Sequence, residues 1–162
     1  MSPTAESAVP DLRPFLRIVR VPYEEPDGVR LLVSASNGRQ CGALEVFANA
    51  SDLEAVAYRL DTLPEDVGSS VVWELGSEQP EHRFAFYVRL RVHRVRSTGP
   101  SALEIRMNNN LEPPQREVSE FALTVERADL DRLARLLLHF ARLEHRVLVW
   151  TVIEGRIEDA RP

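Results

Sequence analysis

The chain has 162 residues, which suits one domain that buries roughly two-thirds of the surface its unfolded form would expose. A net charge of −5 argues against a general nucleic-acid binder, because such binding depends on a field that attracts phosphate. All 20 basic residues are arginine, a bias that fits a GC-rich bacterial genome, and the absence of lysine excludes Schiff-base catalysis and a P-loop.

The first dozen residues, small, polar and proline-bearing, read as a flexible arm, 1–12. They lack the apolar stretch of a signal peptide, and no later stretch is long enough to span a bilayer. A reduced cytoplasmic setting without membrane contact is the expectation. Residues 14–21 (PFLRIVRV) then read as a strand, followed by the loop PYEEPDG. In 29–35, Val29, Leu31, Val33 and Ala35 alternate onto one face. Asn37-Gly38 marks a hairpin, since both residues tolerate positive φ. The returning strand, 41–48, carries Cys41, the only cysteine, expected to be a buried and inert thiol.

Ser51 and Glu54 have the spacing of a capping box and predict a helix over 52–62. Leu53, Val56, Ala57 and Leu60 form its apolar stripe. A strand over 70–75 places Val71, Trp73 and Leu75 on one side. The longest predicted strand, 83–96, puts Phe84, Phe86, Val88, Leu90 and Val92 against the core. Its other face carries Tyr87, Arg89, Arg91 and His93. The strand 102–108 follows, with Glu104 and Arg106 beside those arginines across the hairpin. Asn108-Asn109-Asn110 reads as a turn. The strand 117–125 leads to a second helix, 129–143, with Leu130, Leu133, Ala134, Leu137 and Phe140 inward. The strand 147–153 is apolar on both faces and belongs inside a sheet. Residues 154–162 turn polar and read as a flexible tail.

A strand-then-helix unit recurs 77 positions apart, as LEVFANASDLEAVAYRL from Leu44 and FALTVERADLDRLARLL from Phe121. Asp52-Leu53 aligns with Asp129-Leu130, and Leu60 with Leu137. Hairpins outnumber helices, so the connections favour antiparallel pairing. The expected fold class is α+β within one domain, 13–153. It is read as a two-layer sandwich, a largely antiparallel sheet of seven to eight strands with two amphipathic helices on one face and two related halves.

Chemistry is sparse. The histidines at 82, 93, 139 and 145 include no i, i+4 pair and no H-E-x-x-H, so no metal site is expected. Neither G-x-S-x-G nor G-x-G-x-x-G occurs, no cofactor is indicated, and the reading leans away from an enzyme. Three features could serve recognition. The first is an arginine comb, Arg89, Arg91, Arg94 and Arg96 with His93, for which cross-strand pairing with Glu104 is the plainer account. The second is the asparagine loop. The third is the set of acidic loop residues Glu24, Glu25, Asp27, Glu65 and Asp66.

The segments GALEVFANASDLEAVAYRL, VVWELG and SEFALTVERADLDRLARLLLHF give the chain a pattern that resembles bacterial WapI-type immunity-related proteins. The resemblance implies a protein that neutralises a cognate toxin by covering its surface. It carries over no site residue. The leading expectation is therefore a non-enzymatic interaction protein whose partner is a protein such as a toxin. A small-molecule-binding domain or modest enzyme, with Trp73, Trp150 and Tyr87 lining a pocket, is the alternative. A structural homodimer is the third reading.

Overall fold

The structure is a computed structural model that describes residues 13–22, 28–64 and 66–159. The expected N-terminal arm, the acidic residues Glu24, Glu25, Asp27 and Glu65, and the last three residues lie outside the described residues. In chain order the elements are β1 (Phe15–Val21), β2 (Gly28–Ser36), β3 (Cys41–Asn49), α1 (Ala50–Asp61) and β4 (Ser70–Gly76). A short 3-10 turn (Pro80–His82) precedes β5 (Tyr87–Arg94), β6 (Ser101–Asn108), β7 (Val118–Val125), α2 (Arg127–Phe140), β8 (Val147–Thr151) and β9 (Gly155–Glu158).

The fold is α+β with antiparallel pairing throughout, but the strands, nine rather than seven to eight, divide into two sheets instead of the one sheet expected. The first sheet has the order β3-β2-β1-β8-β9 and the second β4-β5-β6-β7. The division follows from one repeated move. A three-stranded meander, β1 to β3, runs into α1, and the chain then crosses to lay β4 beside β5 of the other meander. The second meander, β5 to β7, runs into α2 and returns β8 to the side of β1. The elements β3, α1 and β4 each start 77 positions before β7, α2 and β8 (41 and 118, 50 and 127, 70 and 147). The two halves thus share one topology, and each donates its last crossing strand to the sheet of the other.

All inner faces meet in one core. Leu16 and Ile18 of β1, Leu31 of β2, Val88 of β5 and Ile105 of β6 are buried in the same cluster as Leu53 and Val56 of α1 and Leu133 and Leu137 of α2. The helices pack on each other, α1 lies over β4, and α2 over β8 and β9. Both apolar stripes face this interior, as their spacing predicts. A residual cavity of about 20 Å³ lies among side chains of both sheets and both helices and is lined by apolar residues such as Leu53, Trp73 and Leu137. Burying each of the large aliphatic side chains contributes roughly 1.5–3 kcal/mol.

On the side where β3 packs against β6 and β7, the sheets come close together. Gly42 of β3 makes this approach possible, since a Cβ there would stand 2.5 Å from Ser119 Oγ. The Asn37 side chain of the β2–β3 turn reaches across and donates to the Ala122 carbonyl at 3.3 Å.

Several local expectations shift. Helix α1 starts two residues early, with Asn49 as N-cap and Asp52 accepting the Asn49 N–H at 2.7 Å, so the Ser51/Glu54 box is not the cap used. In α2 the same roles fall to Glu126 and Asp129, with 2.8 Å between Glu126 N and Asp129 Oδ2. The long strand begins only at Tyr87, because Arg83 takes a left-handed φ of 55° and Phe84 points to solvent. Residues 155–158, read as part of a tail, form β9, which pairs with β8 and places β8 inside the sheet. Cys41 is exposed, because it opens β3 on the outward side of the sheet.

Candidate functional surfaces

The outer faces of the two sheets differ in chemistry. On the second sheet the register sets Glu74, Arg89, Arg106 and Glu120 in one row across four strands. Arg91 and Glu104 face each other in the next. Arg106 is the hub, with Nη2 2.8 Å from Glu78 and Nη1 3.0 Å from Glu120. Its guanidinium is raised above its ordinary pKa, first by the hydrogen bond to Glu78. Burial alone would lift the Glu78 carboxyl, but hydrogen bonds from Arg106 and Asn108, with the charges of Arg106 and Arg89, bring it below the usual carboxylate range. Tyr87 donates to Glu74 at 2.6 Å. Its hydroxyl is pushed up to about 12, first by burial and then by the Glu74 carboxylate beside it.

This arrangement places the arginine comb. Arg89 reaches Glu120 at 3.5 Å, and Arg91 donates to Glu104 at 3.1 Å. His93 Nε2 lies 3.7 Å from the same glutamate. Arg94 ends β5, and Arg96 is exposed in the turn after it. Cross-strand pairing accounts for Arg89, Arg91 and His93, and the acids Glu78 and Glu120 complete a lattice in which charge is met by charge. Sequence reasoning missed those two acids. One lies in a loop and the other on a strand whose neighbour was not known.

The asparagine loop is a structural hub. Asn110 Nδ2 donates to the carbonyls of Ser77 and Phe84, at 2.8 and 3.0 Å. Asn109 Oδ1 accepts from the backbone of Leu111 and Glu117. These bonds tie the loop before β7 to the loop before β5. An open groove of about 460 Å³ lies beside them, with Glu78, Arg106 and Arg116 in its lining. Two of its polar lining side chains, Arg106 and Asn108, are already engaged with Glu78.

Trp73, Trp150 and Tyr87 do not share a pocket. Trp150 is fully buried, and its Nε1 donates to the Asp129 carbonyl at 3.0 Å. Trp73 packs on the core cluster, and Tyr87 lies on the other side of the second sheet, in register with Asn108.

The first sheet presents a different surface. Leu32 and Phe47 are 44% and 43% exposed there. The register sets Glu45, Leu32, Val19, Val147 and Glu158 in one row, an apolar bar with a carboxylate at each end. Phe47 sits beside Arg30 in the next row, and Arg30 Nη2 pairs with Glu45 Oε2 at 2.8 Å. The row itself is apolar between its two carboxylates, and it is flanked by charge, with Arg30 in the row on one side and the exposed Arg17 of β1 in the row on the other. Alternation predicted inward residues correctly here but gave no warning that outward positions of the same strands also carry Val19, Leu32 and Phe47.

No protein-family model, curated protein or solved structure matches the chain. Among the described residues no helix is long and apolar enough to cross a membrane.

Proposed function

We propose that this chain is a non-enzymatic protein-binding module whose contact surface is the outer face of the first sheet. The observation that carries the reading is the exposure of Leu32 and Phe47 beside Val19, within a surround formed by Arg17, Arg30, Glu45 and Glu158. An apolar centre with a polar rim is the usual anatomy of a protein interface. Large exposed aromatic and aliphatic side chains grouped on one face mark interaction sites on folded domains. The opposite sheet supports the same choice by contrast, because Arg89, Arg91 and Arg106 are committed to Glu120, Glu104 and Glu78 within the chain.

The resemblance of the sequence pattern to WapI-type immunity-related proteins makes a toxin of the same cell the first partner to try. Such a partner is neutralised by being covered, which needs an adhesive face and no catalytic group. The test is capture with the native chain and with the double variant L32D/F47D, both first checked for folding by circular dichroism. The native chain should retain a partner, identified by mass spectrometry, that the variant loses. Equal recovery with both would end the assignment to this face. Light scattering on the same pair separates self-association: a native dimer that becomes monomeric in L32D/F47D would make the partner a second copy.

A further inference from the structure

The sequence spacing of the histidines discouraged a metal site, since His139 and His145 are six apart and cannot share a helix face one turn apart. The fold brings them together by another route. His139 is exposed on the last turn of α2. The helix then stops, and Leu143 takes a left-handed φ of 61° that folds the chain back on itself. Arg20 of β1 holds this reversal, its guanidinium donating to the carbonyls of Leu143 and His145 at 2.9 and 3.3 Å. As a result one ligand atom from each of His139, Glu144 and His145 lies within 4.8 Å of the others. A left-handed non-glycine residue costs about 1–3 kcal/mol and persists only where its surroundings impose it.

We propose that His139, Glu144 and His145 bind one zinc-type divalent cation, with Asp159 as the residue that positions His145. Three observations carry this. First, the imidazole centres of His139 and His145 stand 5.2 Å apart, edge to face. With zinc–nitrogen bonds of about 2.0–2.1 Å, two imidazoles on one tetrahedral ion have centres about 5.2 Å apart. Second, Asp159 Oδ1 lies 3.0 Å from His145 Nδ1. A carboxylate in that place fixes the tautomer with the proton on Nδ1 and leaves the Nε2 lone pair for an ion, the usual outer partner of a metal-bound histidine. Asp159 is brought there by β9, whose Glu158 carbonyl accepts the Arg146 N–H at 3.3 Å. Third, two imidazoles and one carboxylate suit zinc and its transition-metal neighbours, whereas calcium and magnesium demand oxygen donors. Three protein ligands leave a fourth position for water. The ion would tie the end of α2 to the turn that leads into β8, and through the His145–Asp159 bond to the segment that follows β9.

The test is titration of the full chain with zinc chloride, read by calorimetry and by competition with a metallochromic chelator. One ion per chain is expected, with affinity lowered at least tenfold in H139A and in H145A, and an upward shift in Tm for the native chain on adding zinc. D159N should weaken binding about tenfold without abolishing it. Excess magnesium should not displace the ion. H82A and H93A, which alter the two histidines elsewhere, should bind as the native chain does. Native affinity no greater than that of H139A/H145A overturns the site, as does an equal loss in H82A or H93A. Unchanged affinity in D159N removes the role given to Asp159. His139 is an exposed helical residue, so H139A keeps the proposal decidable even if a substitution at His145 disturbs the turn.

Discussion

The Tyr87 hydroxyl shows how a charged sheet face can be tuned by one buried group. Its proton is held by Glu74 at 2.6 Å, and ionisation would set a second negative charge beside that carboxylate. Because the folded pKa is raised to about 12 from an ordinary 10.0, the unfolded chain loses this proton first. The resulting contribution to stability is complete below pH 10 and disappears as pH rises from there through 12. Ultraviolet titration should therefore show a tyrosine ionising near 12 that is absent from Y87F, and chemical denaturation should find the native chain losing more stability than Y87F across that interval. Gly42 offers a steric test of comparable simplicity. G42A should cost about 1–3 kcal/mol, because the new methyl meets Ser119 Oγ and Cβ at 2.5 and 2.6 Å and no rotamer of serine removes both. In an S119G background most of that penalty should vanish, as measured by urea midpoints. Neither residue announced its role in the sequence. Tyr87 sat in a row of alternating outward positions, and Gly42 in a run of small residues, and the partner of each comes from another strand.

Helices α1 and α2 solve the same capping problem with unequal means. Asp52 and Asp129 both accept the N-cap N–H three residues back, which satisfies one of the donors left open at a helix start. Asp129, however, is only 6% exposed, also accepts from Arg132 at 3.2 Å, and offers its carbonyl to Trp150. D52A should therefore cost about 1 kcal/mol. D129A should cost about 2–3 kcal/mol, because Arg132 loses a charged acceptor in a poorly solvated place. Equal losses in thermal denaturation would show that burial adds nothing to the cap. The repeat of Asp-Leu in both helices was legible because it follows the 3.6 period of an apolar stripe. The cap itself was misplaced, since Ser51 and Glu54 have the same spacing as Asn49 and Asp52, and only the end of β3 decides between them. Strand β9 escaped for a related reason. Gly155, Arg156, Ile157 and Glu158 have one apolar residue to declare a face, and the strand exists because β8 offers it a partner and Gly155 lets it pass close to Leu136. The His139–His145 pair was hidden by a left-handed turn, which spacing along a helix cannot describe.

At the scale of the molecule, the decisive fact is that neither meander finishes its own sheet. Strand β4 leaves the first half to border β5, and β8 leaves the second to border β1. The inner faces of both sheets and both helices then close over one core. Eight of the nine strands, both helices and the antiparallel pairing could be read from alternation and turn residues, but β9 and the crossing could not. A strand's pattern states which face is buried and says nothing about which neighbour supplies the next row of hydrogen bonds. The interlock has a consequence for folding. If each sheet depends on a strand from the other half, neither half can lose its structure while the other keeps its own, and unfolding should be one cooperative transition. The two tryptophans report on this separately, since Trp73 belongs to β4 in the second sheet and Trp150 to β8 in the first. In W73F the remaining fluorescence follows the first sheet, and in W150F the second. Each variant's fluorescence midpoint in urea should coincide with its own midpoint by far-ultraviolet circular dichroism, even though W150F, which loses the bond to Asp129, unfolds at lower urea. A fluorescence transition that precedes the loss of secondary structure in either variant would mean that the sheets come apart in turn, and that the exchanged strands do not couple the halves.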